Sequence, residues 1–196
     1  MDKTVQYYDN NASSFVDDTL NADMTELYAL FQKYCTPGAA ILDFGCGSGR
    51  DTKYFKSQGY HVDAIDGSLE LCKIASEHSG VAVKHMYFHE LNAVEQYDGI
   101  WACSSILHVP VDDLPDVLSR LYRALVVGGH LYTSFKYGDF SGNRNGRYFT
   151  DFTESSFQDL LSKVPGFHIV ETVITGDVRV GRENEKWLNL IIKRIN

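Results

Sequence analysis

The sequence predicts an α/β fold in which a doubly wound, mostly parallel sheet carries helices on both faces. Three observations predict it. Short apolar runs alternate with segments of helical periodicity from about Ala39 to Lys136. The stretch Ile41-Leu42-Asp43-Phe44-Gly45-Cys46-Gly47-Ser48-Gly49-Arg50 reads as a strand, a tight glycine turn and the start of a helix. A further apolar run ends at Asp66, which sets a carboxylate at the tip of the second strand. Glycines let the backbone approach a ligand closely, and the helix N-terminus behind them offers free N–H groups. A carboxylate about 20 residues on suits the hydroxyls of a ribose. The pattern therefore points to a pocket for a nucleoside-containing cofactor.

Each element has its own signal. Residues from about Ala12 to Tyr34 read as one helix, because Phe15, Leu20, Leu27, Leu30 and Phe31 recur near helical spacing and Pro37-Gly38 ends the segment. Ala39–Phe44 reads as the first strand and Asp51–Gln58 as the first crossover helix, closed by Gly59. His61–Ile65 is the second strand. Ser68 caps a helix through about His78, stopped by Gly80. Val81–Tyr87 reads as a third strand and Tyr97–Ser104 as a fourth, nearly all apolar, as a strand covered on both faces should be. Asp112–Leu125 places Leu114, Val117, Leu118, Leu121 and Leu125 on one side of a helix, and Gly128-Gly129 leads into a fifth strand, His130–Lys136. Thr153 caps a helix through Val164. Two tail strands, about Phe167–Thr175 and Lys186–Ile195, are joined by a polar loop.

Composition bounds the reading. A chain of 196 residues suggests one domain with a single substantial core. A formal net charge of -8 disfavours a broad electrostatic grip on nucleic acid or an anionic membrane. No apolar run reaches the roughly 18–20 residues of a membrane span, and Met1-Asp2-Lys3-Thr4 lacks the apolar core of a signal peptide. Cys35, Cys46, Cys72 and Cys103 show no C-x-x-C spacing and sit in or beside apolar runs, which suits reduced thiols in a cytoplasm. No cluster of His, Asp and Glu at ligand spacing stands out, so no metal is expected.

The glycine loop departs from the dinucleotide fingerprint G-x-G-x-x-G. Gly45 and Gly47 fit its first two positions, but the third falls on Arg50. Asp43 would also repel phosphates; a cofactor with a cationic centre and an amino group would welcome it. On these residues the chain resembles the class I S-adenosylmethionine-dependent methyltransferases, whose first motif reads apolar-apolar-Asp-apolar-Gly-x-Gly-x-Gly. The resemblance runs from about Tyr34 to Lys136. It is strengthened by Tyr97-Asp98-Gly99-Ile100-Trp101-Ala102-Cys103-Ser104-Ser105-Ile106-Leu107-His108, which is similar to that family's fourth strand. It implies a seven-stranded Rossmann-like sheet, mostly parallel, with an antiparallel last strand inserted beside the fifth. It implies S-adenosylmethionine as cofactor, with Gly45, Cys46, Gly47 and Gly49 beneath its methionine part and Asp43 facing its amino group. Asp66 and Gly67 would meet the ribose, Phe88 the adenine, and Cys103 and Ser104 the strand tip beside the sulfur. Family members often carry an acidic residue where this chain has Tyr87.

The remaining residues bear on the methyl acceptor. His108 lies just past the fourth strand tip, where a neutral imidazole could accept a proton; it reads equally well as a packed structural residue. Tyr7 and Tyr8 resemble the N-terminal lid of small-molecule methyltransferases. The segment Lys136–Phe149 holds Lys136, Arg144 and Arg147 against Asp139 alone, and with Tyr148 it reads as a substrate loop. Arg179 and Arg182 could join it, and converging guanidinium groups grip a carboxylate or phosphate. The expected layout is a lid and helix over 1–36, a cofactor-binding core over 37–136, and a substrate loop with C-terminal strands over 137–196. The chain is then expected to transfer a methyl group to a small, possibly anionic molecule, as monomer or homodimer, like the tellurite-resistance branch. Two alternatives stay open: an NAD(P)-binding oxidoreductase, and a non-catalytic cofactor-binding partner subunit.

Overall fold

The computed structural model describes residues 3–179, 182 and 184–196. The core is a seven-stranded sheet built from β1 (Ala40–Phe44), β2 (His61–Asp66), β3 (Lys84–His85), β4 (Tyr97–Ala102), β5 (Leu125–Lys136), β8 (Phe167–Gly176) and β9 (Lys186–Arg194). Its order is β3-β2-β1-β4-β5-β9-β8. The first five strands pair in parallel, and β9 runs antiparallel between β5 and β8. The expected insertion of an antiparallel last strand beside the fifth is therefore present. The strand order reverses between β1 and β4, and both tips open on the same edge of the sheet, where α/β folds bind ligands.

Side chains alternate across the sheet with period two and feed two cores. Leu42, Phe44, Ile100, Leu131 and Leu190 pack on one face with α6 (Leu114–Ala124) and α7 (Glu154–Leu161). Ile41, Trp101, Tyr132 and Ile191 pack on the other with α3 (Thr25–Gln32) and α4 (Arg50–Ser57). The helix α5 (Leu69–Ser79) follows β2, capped by the Ser68 hydroxyl accepting from the Leu71 N–H at 3.1 Å.

Four boundaries differ from the sequence reading. The single N-terminal helix is three: α1 (Lys3–Asn10), α2 (Ala12–Thr19) and α3. Helical periodicity persisted across Leu20–Met24, yet that stretch turns so that α3 can lie on the sheet. Tyr7 and Tyr8 thus sit on a helix. The third strand shrinks to two residues, because only Lys84 and His85 pair, with Ile65 and Asp66 at the end of β2. The fifth strand begins five residues earlier than expected, with a register shift between Tyr97 and Gly99 where Gly128, at φ 85°, bends it. The segment after it is not an open loop but a hairpin, β6 (Ser141–Arg144) and β7 (Arg147–Thr150). Asn145 and Gly146 close it with φ of 49° and 82°. Positive φ at both central residues is the conformation that suits Asn-Gly in a two-residue hairpin.

Beneath the glycine loop lies one buried carboxylate. Asp51, on the first turn of α4, accepts hydrogen bonds from Tyr28 Oη (2.5 Å), Arg50 Nε (2.6 Å), Arg50 Nη2 (3.0 Å) and Trp101 Nε1 (2.8 Å). Arg50 Nη1 also donates to the Thr19 carbonyl at 3.0 Å. Burial alone would raise the Asp51 pKa, but the Arg50 guanidinium and these donors hold it below the ordinary value. The carboxylate therefore ties α2, α3, α4 and β4 together. Removing one partner of a buried ion pair leaves the other uncompensated. Asp51→Ala should then lower the unfolding free energy by about 3–5 kcal/mol in urea titrations; a loss below about 1 kcal/mol, the scale of an exposed pair, would show the node to be dispensable.

Candidate cofactor and acceptor site

Two cavities flank the glycine loop at the sheet edge, of about 650 Å³ and about 670 Å³. Tyr8, Phe15, Gly45, Gly47, Ser104 and His108 line both and form the wall between them. The first cavity continues over Cys46, Arg50 and Cys103 towards Lys136, Arg144, Arg147, Phe149 and Arg179. The second is bounded by Asp66, Gly67, Leu71, Tyr87, Phe88 and His89. The first chamber thus carries cations interleaved with Asp51, Asp151, Asp177 and Glu185, and the second carries Asp66, Asp113 and Asp116 amid apolar and aromatic walls.

The loop is shaped by what lies close to it. A Cβ on Gly45 would sit 2.6 Å from Ser105 Cβ and 3.2 Å from the Phe88 ring, and the residue has φ 83°. A Cβ on Gly47, at φ 55°, would come within 3.1 Å of Phe15. Gly49 differs: its missing side chain faces the Ala75 backbone at 2.8 Å, and it lines neither cavity. Its role here is close packing of α4 on α5. Asp43 also lies outside both cavities. It is 1% exposed, and its carboxylate accepts from the Thr52 hydroxyl at 2.6 Å.

Asp66 closes the second chamber at its base. Its two carboxylate oxygens accept the Gly47 N–H (2.9 Å) and the Ser68 N–H (2.8 Å). Burial raises its pKa, partly offset by these two amides. The carboxylate is thereby aimed by backbone on both sides, with lone pairs left over. Phe88 stacks on Phe44 with ring centroids 4.5 Å apart. Cys103 lines the first chamber, its thiol pushed up to about 12 by burial. Ser104 holds φ 51°, and its N–H donates to Ser134 Oγ at 2.9 Å. A non-glycine residue in that region is strained backbone, and such strain clusters at functional sites.

At the shared wall, His108 Nδ1 lies 2.6 Å from the Tyr148 carbonyl oxygen. A carbonyl only accepts, so Nδ1 carries the proton. In the neutral ring Nε2 is then the acceptor, and Tyr8 Oη donates to it at 2.8 Å. Arg147 Nη1 donates to the same Tyr8 oxygen at 3.4 Å. Tyr8 keeps its proton because burial raises its pKa, with Arg147 pulling the other way. The helix carrying Tyr8 is fastened at three points. Asp9 Oδ1 accepts from Ser68 Oγ (2.6 Å), Thr4 Oγ1 accepts from the Tyr148 N–H (3.0 Å), and Tyr8 meets His108.

The arginines expected to act as one cluster divide. Arg144 is clamped bidentately by Asp151 at 3.0 and 2.6 Å and lies 3.8 Å over the Phe140 ring. Arg179 donates to Asp177 at 2.9 and 2.5 Å, and this pair holds the Asp177 carboxyl at about 2 despite burial. Lys136 pairs with Glu185. Arg147 instead lies among the rings of Tyr7, Phe149 and Tyr8, at 4.7, 5.2 and 5.8 Å. Tyr7 and Tyr148 flank the site without lining either chamber. Asp151, Asp177 and Glu185 went unread as site residues. Their nearness in sequence to Arg144, Arg179 and Arg182 was the available signal. Among the described residues no group of His, Cys, Asp and Glu is arranged to hold a metal, and no helix is long and apolar enough to cross a membrane.

With this geometry the chain resembles known proteins in a consistent way. Residues 41–129 match the methyltransferase domain family. The malonyl-[acyl-carrier protein] O-methyltransferase of Salmonella typhimurium is 35% identical over 95 residues, 46% of this chain and 36% of that protein. The ubiquinone biosynthesis O-methyltransferase of Xylella fastidiosa is 33% identical over 108 residues, 50% of this chain and 42% of that protein. These matches span less than half the length of either relative. Among solved structures, the 1,6-didemethyltoxoflavin-N1-methyltransferase of Burkholderia thailandensis superposes with a TM-score of 0.78 at 24% identity, over 98% of this chain and 85% of that one. It was crystallised with 1,6-didemethyltoxoflavin and S-adenosylhomocysteine bound. Residues 41–129 are thus similar to a methyltransferase domain, and the chain as a whole shares its fold with the Burkholderia enzyme. The matched region runs from β1 to Gly129 within β5, so the β6–β7 hairpin and the tail strands lie outside it.

The buried acids allow a pH test. Burial and the Asp51 charge raise the Asp43 pKa well above the ordinary value. A carboxyl with a raised folded pKa contributes stability that is complete below its unfolded value, about 4, and lost as pH rises through the folded one. The stability of Asp43→Asn relative to the unsubstituted chain should therefore increase as pH is raised from about 4 to neutrality. Urea midpoints that differ by the same amount at every pH would refute the raised pKa.

Proposed function

We propose that this chain transfers the methyl group of S-adenosylmethionine to a small molecule bearing a carboxylate, phosphate or comparable oxyanion. The observation that carries the reading is the pair of chambers meeting at Gly45, Gly47, Ser104 and His108. The residues fit the cofactor. Asp66 keeps unused lone pairs at the base of the second chamber, in reach of ribose hydroxyls, while Gly67 and Phe88 wall the adenine end. Gly45, Cys46 and Gly47 offer bare backbone to the methionine part. Asp43 supports the loop from beneath and makes no direct contact with the amino group, since Thr52 occupies its carboxylate and burial favours its neutral form.

The bound cofactor supplies a methyl group on a cationic sulfur, which a correctly placed nucleophile displaces. The chain's own residues position and desolvate. Phe15 and Tyr8 roof the junction and exclude water, and orientation of this kind accounts for most of what such a transfer requires. His108, its Nδ1 proton fixed on the Tyr148 carbonyl, accepts from Tyr8 Oη at Nε2, so a proton leaving the acceptor would reach the imidazole by way of that hydroxyl. Cys103 and Ser104 line the strand tip beside it. In the other chamber Arg147 meets no carboxylate among the described residues, which on a chain of net charge -8 supports an anionic acceptor.

S-adenosylhomocysteine should bind the folded chain in calorimetry. Asp66→Ala should weaken it by about 1.5–3 kcal/mol, the range of hydrogen bonds to charged groups. Unchanged affinity, or stabilisation by NADH in place of S-adenosylhomocysteine, would sink the assignment. Methyl-labelled S-adenosylmethionine incubated with fractionated metabolites should mark acidic compounds; label confined to neutral or basic ones would remove the oxyanion.

A further inference from the structure

We infer that Arg147 alone reads the acceptor's anionic group, and that this group is a monoanion of carboxylate type. The inference rests on the reading that the acceptor is anionic. It narrows four candidate arginines to one and sets the charge they bind.

The argument is a charge count inside the first chamber. Arg50 is neutralised by Asp51, Lys136 by Glu185, Arg144 by Asp151 and Arg179 by Asp177. Arg182 lies 3.9 Å from Glu185 with its side chain 44% exposed, and Lys186 is exposed, so water serves both. Arg147 has no carboxylate partner among the described residues. Its Nε is buried and without a hydrogen-bond acceptor, and its Nη1 reaches only the Tyr8 hydroxyl, at 3.4 Å. The rings of Tyr7, Phe149 and Tyr8 surround the guanidinium, and cation–π attraction offsets only part of the cost of withdrawing a charge from water. Buried polar atoms in native folds are normally satisfied, so an orphaned donor on an uncompensated cation lining a cavity points to a ligand that supplies the acceptor.

One uncompensated charge matches one negative charge. A dianionic phosphate would bring a second charge into a chamber whose other screened cations are already paired. The guanidinium fork suits two coplanar oxygens. The site also places the acceptor correctly: Arg147 touches Tyr8, and Tyr8 touches His108 on the wall shared with the cofactor chamber. Arg144 is then a positioning residue, holding β6 to Asp151 just beyond β7.

The test follows arginine side-chain N–H resonances of the full chain while acetate or inorganic phosphate is added, with and without saturating S-adenosylhomocysteine. Arg147 is assigned from Arg147→Lys. Acetate should shift the Arg147 Nε–H signal saturably and leave those of Arg144 and Arg179 in place. Arg147→Lys should weaken acetate binding by roughly tenfold or more, because an ammonium lacks the fork, while its melting temperature stays near that of the unsubstituted chain because the aromatic collar still holds a cation. Saturable movement of Arg144 or Arg179 in place of Arg147 would overturn the inference yet leave an anionic acceptor standing. Silence of all three with both probes would overturn it together with the anionic reading, while S-adenosylhomocysteine binding would still stand on its own. Phosphate binding more than tenfold tighter than acetate would overturn the monoanion.

Discussion

The buried Asp51 carboxylate is the constraint on which the rest of the site depends. It sits one turn past the glycine loop and collects donors from α3, α4 and β4. A charge so far from water is tolerable only when it is paired and hydrogen-bonded on every side. Satisfying it fixes the helix behind the loop against the strand whose tip carries Cys103 and Ser104. Arg50 carries the same constraint outwards, since its remaining nitrogen donates to the Thr19 carbonyl at the end of α2. The floor and the roof of the junction are thus set by one network.

That network also sets the electrostatics. Asp43, Asp51 and Asp66 lie close enough for each to feel another's field. Because Arg50 and the donors Tyr28 and Trp101 stabilise the Asp51 charge, Asp51 stays ionised and pushes Asp43 towards its protonated form. Two acids eight residues apart in sequence are therefore driven in opposite directions, decided by which of them the arginine binds. Asp66, farther along the edge, is held by two backbone amides instead. With Asp43 driven towards its neutral form and Asp51 paired with Arg50, Asp66 is the acid held against the loop on the cofactor side, while Arg147, without a carboxylate partner among the described residues, faces the other chamber.

The roof couples the chambers mechanically. Asp9 binds the capping hydroxyl of α5 on the cofactor side, Thr4 binds β7 on the acceptor side, and Tyr8 spans the wall to His108. Phe15, whose ring covers Gly47, closes the same gap from α2.

The sequence by itself determined the sheet, the glycine loop and the acid at the second strand tip. Those follow from local rules: apolar runs of strand length, glycines where φ is positive, a cap at Ser68. It also held the β6–β7 hairpin in Asn145-Gly146, a signal outweighed in the reading by the arginines around it. Only the tertiary structure decided which glycines face a cavity, since Gly45, Gly47 and Gly49 are alike in sequence and differ in whether Ser105, Phe15 or Ala75 stands opposite. It likewise decided that Asp43 lies beneath the loop, that Arg50, Lys136, Arg144 and Arg179 are already paired, and that Arg147 meets no carboxylate among the described residues. Charge compensation is settled by distances between residues remote in sequence, such as Tyr28 and Trp101 around Asp51 or Tyr8 against Arg147 and His108. A linear pattern lists the charges but cannot say which carboxylate each cation meets, and in a site built from paired charges that is what selects the residue left to bind a ligand.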